Sequence, residues 1–127
     1  MKRQLLLALV LVAATVVAYL PALRAGFIWN DNTYLTENPT LDGLQGLKLI
    51  WAEPSANEQY YPFVFTSFWV EKRLWGLHPF GYHLVNVLLH AGSALLLWWF
   101  LRRLGLPGAW LAAAVFALHP LCAESVA

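Results

Sequence analysis

Apolar and polar positions divide the chain into long unbroken runs and one mixed stretch. From Leu5 to Leu20 the only polar interruptions are Thr15 and, near the far end, Tyr19. A second apolar run, Leu84 to Leu101, is broken by Asn86, His90 and Ser93. A helix needs about 20 residues to cross a bilayer core, so each run suffices once its flanks are added. A third run, Ala109 to Leu118, stops at His119-Pro120. Ten helical residues rise only about 15 Å, so this helix either ends deep in the protein or kinks at the proline and goes on. Between the first two runs, Asn38-Pro39, Asp42-Gly43 and Gly46 read as turns, and Glu53 to Gln59 reads as a solvent-exposed polar turn. Aromatic residues then gather from Tyr60 to Trp75. Pro62 suits a first helical turn, and Phe65, Phe68, Trp69 and Trp75 share an apolar face. The pattern predicts a helix over about 62–75 lying along a membrane surface or packed on the spans.

The fold class expected is an all-α polytopic membrane protein. Its segments are a first transmembrane helix (1–25), a loop (26–83), a second transmembrane helix (84–101), a turn (102–108), and a third helix entering a second loop (109–127). Composition agrees with it. Apolar residues make up 60% of the 127, charged residues 12%, and mean hydropathy is +0.56. Soluble domains run nearer 45–50% apolar and 25% charged. A net charge of +1 gives no basic excess for nucleic acid, and the single cysteine, Cys122, excludes an internal disulfide or a four-thiolate metal site. Lys2 and Arg3 precede the first run and Arg102 and Arg103 follow the second, whereas the loop holds Asp31, Glu37, Asp42, Glu53, Glu58 and Glu71. The positive-inside rule then puts the N-terminus and the Arg102-Arg103 turn in the cytoplasm, and residues 21–83 outside it. A cleaved signal peptide ending at Ala25 is the competing reading of the first segment.

Three groups of polar residues carry candidate chemistry. Asn30, Asp31 and Asn32 follow the aromatics of Gly26-Phe27-Ile28-Trp29, and read either as an Asx-rich turn or as an acid placed at a membrane boundary. His119 and Glu124 fall on the same side of the membrane as Asp31 by this topology, and read either as a polar helix end or as acid/base or metal-binding groups. His83, Asn86 and His90 line one face of the second span, where interhelical hydrogen bonding competes with a functional role. No glycine-rich phosphate loop, nucleophile elbow, zinc cluster or internal repeat is present in the sequence.

Four ordered blocks carry a family likeness. They are Asn30-Asp31-Asn32-x-Tyr34-Leu35-x-x-Asn38-Pro39, Gln59-Tyr60-Tyr61-Pro62, the stretch from His78-Pro79-Phe80-Gly81-Tyr82-His83 to His90, and His119-Pro120-x-x-x-Glu124-Ser125-Val126. Together they resemble the bacterial relatives of the TMTC proteins, in which a GT-C-type membrane glycosyltransferase region precedes tetratricopeptide repeats. The resemblance implies a GT-C-like helical bundle in a bacterial inner membrane. It implies transfer of a sugar, commonly mannose, from a polyprenyl-phosphate carrier to a protein hydroxyl. Asp31 would be the base, and His119 and Glu124 would shape the donor site, with a divalent cation as the only candidate cofactor. The family's acidic motif usually has two or three adjacent aspartates, where this chain has Asn30 and Asn32 around Asp31. Its second motif usually carries a second histidine, where this chain has Cys122. Those departures sustain a second expectation, an inactive membrane anchor or scaffold. The chain's end inside the second motif reads as a piece of a longer protein, inactive alone.

Overall fold

The computed structural model describes residues 2–27 and 31–126. Every regular element among them is helical. The chain forms two compact units, one of Met1–Ala25 with His83–Ala127 and the other of Gly26–Tyr82.

The first unit contains α1 (Lys2–Ala18), most of α4 (Pro79–Arg103), α5 (Ala109–Leu118) and a short α6 (Ala123–Val126). Leu, Val and Ala sustain α1 until Pro21, whose ring and missing N–H prevent its continuation. Trp110 Nε1 donates to Leu7 O at 3.0 Å, and Arg102 donates to Gln4 Oε1 at 2.6 Å. The start of α1, the end of α4 and the start of α5 therefore share one end of the unit. His90 and Tyr19 meet edge to face toward the other end, where His90 Nε2 also bonds Ala117 O at 3.1 Å. The helices thus run up, down and up. The core is lined with small residues: Ala94, Ala109, Ala113 and Ala117 are buried with Leu11 and Trp98. Large apolar side chains such as Leu5, Leu6, Leu9, Leu89, Leu96 and Leu111 are exposed. Packing by alanine with leucine outside is inverted relative to a water-soluble bundle and suits helices surrounded by hydrocarbon.

Among the described residues, α4 alone is long and apolar enough to cross a bilayer, and only 28% of its most apolar window is buried within the chain. It starts five residues before the second apolar run, because Pro79 opens a helix without needing an N–H partner. α1 has 17 residues and α5 only 10. α5 ends in extended His119, as the following proline requires, and the chain resumes after a 51° bend through Pro120–Val126.

The second unit holds α2 (Gly43–Ala52) and α3 (Pro62–Trp75) around an aromatic core of Leu35, Leu41, Ile50, Phe65 and Tyr82. The helix expected over 62–75 forms with those bounds and stops at Gly76, whose φ of 61° lies in the left-handed region. Its inner face includes Phe65, as expected, while Phe63, Val70 and Leu74 form an exposed apolar stripe. α2 was not expected. Gly46 reads as a turn in sequence but lies inside this helix, and a Cβ there would come 2.2 Å from the carbonyl oxygen of Thr40. The glycine permits close approach of two backbone segments. Trp69 Nε1 to Gly43 O at 2.8 Å and Lys72 to Asp42 at 2.8 Å join α3 to the start of α2. Trp51 Nε1 to Thr66 Oγ1 at 3.0 Å joins it near the end of α2.

Candidate functional site

Asp31 is half-buried and engaged in an interaction within the structure. Directly after it comes a single π-helical turn, Asn32–Thr36, a rare conformation that is frequent at functional sites. Asn30 lies outside the described residues.

The segment bearing Asp31 is anchored by a polar cluster that sequence reading treats only as a turn. Asn38 is 6% exposed and Thr40 is 3% exposed. Asn38 Nδ2 donates to Tyr34 O at 3.3 Å and to Asn57 Oδ1 at 2.8 Å, while its Oδ1 accepts from Thr40 N at 2.9 Å and from Thr40 Oγ1 at 2.8 Å. Both amide donors and the carbonyl are thereby used, as a buried polar side chain requires. Asn38-Pro39 signals a local Asx turn. Its partnership with Asn57, 19 residues away, has no local signature. Leu35 is buried, and Tyr34 packs edge-on against Phe65 with ring centres 5.6 Å apart. The stretch following Asp31 is therefore fastened to the aromatic core by both apolar and polar contacts.

Glu71 is the buried acid of this unit, 4% exposed. Ser67 Oγ donates to its Oε1 at 2.6 Å, and its Oε2 has no partner. Desolvation raises its pKa above the ordinary carboxylate value, partly offset by the Ser67 hydrogen bond. Its place beside Lys72 and Arg73 in sequence gives the impression of a solvated charge cluster. Helical phase instead turns it inward.

In the other unit, His119 is exposed at the break after α5, and its Nδ1 accepts from Leu121 N at 3.2 Å. In the neutral ring that bond assigns the proton to Nε2, leaving Nε2 as an outward donor. Glu124 is exposed on α6, and the Cys122 thiol reaches Phe116 O at 3.6 Å. No group of three His, Cys, Asp or Glu converges among the described residues, so His119 and Glu124 do not by themselves fit a metal ion. His83, Asn86 and His90 have different surroundings. His90 bonds the carbonyl of Ala117 and packs on Tyr19 and Phe116, which is the interhelical role. His83 is 3% exposed with both ring nitrogens unpartnered, and Asn86 is half-buried.

No protein-family model matches the chain, and no solved structure matches it. Curated proteins do. The chain is 34% identical over 127 aligned residues to the protein O-mannosyl-transferase Tmtc1 of Drosophila melanogaster, covering 91% of this chain and 15% of that protein. It is 33% identical to the protein O-mannosyl-transferase TMTC2 of Mus musculus, covering 86% of this chain and 14% of the relative. The protein O-mannosyl-transferase F38B6.6 of Caenorhabditis elegans is 26% identical, over 94% of this chain and 19% of its own length. The chain thus spans less than a fifth of the length of these relatives.

Proposed function

The chain is TMTC-like, and from that premise we propose that it is part of a membrane glycosyltransferase that mannosylates protein hydroxyls. The likeness over most of the chain to proteins named O-mannosyl-transferases is the observation that carries this reading. The donor proposed is a polyprenyl-phosphate sugar, and the architecture proposed is a polytopic GT-C-type bundle. α1, α4 and the broken α5 cross or enter the membrane, and the membrane proposed is the bacterial inner membrane. The gathering of Gln4, Arg102 and Trp110 at one end of the helical unit supports placing that end in the cytoplasm. His119 and Glu124 then lie toward the opposite face.

In the proposed reaction the acceptor oxygen bonds the anomeric carbon as the bond to the carrier phosphate breaks, its electron pair leaving with the phosphate. Asp31 takes the hydroxyl proton. A carboxylate suits this task, because the hydroxyl proton becomes acidic as the oxygen's lone pair is drawn into the new bond. His119 Nε2–H serves as a donor toward a phosphate oxygen, and Glu124 positions the donor's hydroxyls.

Replacing Asp31 with Asn in the full-length protein tests the assignment. Loss of transfer by a factor of about 100 or more, with donor binding retained, is the expected result for a missing general base. Unchanged transfer overturns it. The departures at Asn30, Asn32 and Cys122 favour a second reading, an inactive scaffold. That reading predicts that the combined Asn30→Asp, Asn32→Asp and Cys122→His changes leave transfer absent, and a gain of transfer overturns it. Robust transfer by the natural full-length protein removes it.

A further inference from the structure

We propose that the basic end of the helical unit holds a binding site for the phosphate headgroup of an anionic phospholipid. The site is a cavity of about 310 Å³ whose lining includes Arg3, Gln4, Trp98, Arg102 and Trp110. It rests on the reading that α1, α4 and α5 lie in a bilayer, and it goes beyond the transfer reaction. Trp110, on its wall, belongs to the opposite end of α5 from the break before His119.

Four features identify the ligand. The lining carries two arginines and no acid, so an anion is favoured over a neutral or cationic group. Arg102 is preorganised: one N–H is held by Gln4 Oε1 at 2.6 Å, and its guanidinium lies over the Trp98 ring at 5.4 Å, leaving other donors of the fork unused. Gly108 and Ala109 line the same cavity, so the start of α5 presents first-turn amides and the positive end of the helix dipole to it. Finally, Leu106 and Leu111 line the cavity and are 49% and 64% exposed. A cationic pocket that runs onto open leucine surface matches a headgroup joined to acyl chains, and a free phosphate would leave that apolar surface unused.

The test reconstitutes the 127-residue chain in nanodiscs containing equal phosphatidylglycerol and phosphatidylcholine, releases it, and counts retained lipids by native mass spectrometry. Enrichment of phosphatidylglycerol is expected, falling about fivefold for each of Arg3→Gln and Arg102→Gln, with helicity by circular dichroism unchanged. Among the described residues Arg3 makes no side-chain bond, so its variant separates loss of binding from loss of the Gln4 contact. Equal retention of both lipids overturns the site, as does enrichment that survives both substitutions. Displacement of the retained lipid by millimolar inorganic phosphate overturns the lipid assignment in favour of a soluble anion. Failure of the chain to enter nanodiscs at all refutes the bilayer reading beneath it and is distinguished from these results by flotation.

Discussion

The two units of this chain solve opposite packing problems. The helical unit buries alanines and exposes leucines, and its side-chain hydrogen bonds fall mostly near the ends of the helices. The Gly26–Tyr82 unit buries aromatic rings and surrounds them with bonded polar groups: Asn38 with Thr40 and Asn57, Trp69 with Gly43, Trp51 with Thr66, Ser67 with Glu71. Where hydrocarbon is the solvent, no hydrophobic force drives leucines inward, and close contact between small side chains holds helices together. Where water competes, apolar burial does that work and each buried polar atom must find a partner. The contrast teaches that one short chain holds two styles of packing, small residues inside one unit and bonded aromatic rings inside the other.

Three changes sharpen that contrast. The largest effect is expected in the loop unit from Gly46→Leu, whose Cβ would strike the Thr40 backbone rather than a flexible side chain. Overpacking of this kind costs about 3 kcal/mol or more, and denaturant unfolding followed by tryptophan fluorescence would show it. Ala113→Leu is the counterpart in the helical unit, at a position that is fully buried. It should disrupt the approach of α5 to α1 without altering the loop unit's transition, which disulfide trapping between engineered cysteines on the two helices would report. Next comes Asn38→Ala. It strands the Thr40 amide and removes one of the two donors to Asn57 Oδ1, and should cost the loop unit about 1–3 kcal/mol while leaving the helical unit untouched.

The smallest effect is a pH dependence. Burial raises the pKa of Glu71, so the folded chain holds that proton more tightly than the unfolded chain. Stability of the loop unit is then greatest below the ordinary carboxylate range and declines as pH rises through that range to the raised value. Glu71→Gln should flatten this profile and increase the melting temperature at neutral pH. A profile identical to that of the unchanged chain would mean that Glu71 ionises without penalty.

How much of this was legible in sequence follows from which interactions are local. α3 was, because Pro62, the aromatic phase and Gly76 all act within one helix. The break before Pro120 was too, since proline restricts the residue before it. α2 was hidden by Gly46, whose role depends on a backbone segment folded back against it. Asp31 could be singled out as a lone acid after an aromatic run, but the Asn57 partner that helps fasten its segment lies too far along the chain to leave a local mark. His90 was readable as a polar group needing a partner inside an apolar helix, although which carbonyl it meets depends on the α5 break.

The bond from Trp110 to the carbonyl of Leu7 joins residues 103 positions apart. A ribosome adding about 5–20 residues per second needs roughly 5–20 s to make that stretch. For that interval the newborn first helix has been made but its alanine-rich partner has not. Its early seconds are spent as a lone apolar segment whose fate depends on whatever receives it, until α5 arrives to complete the packing of the first.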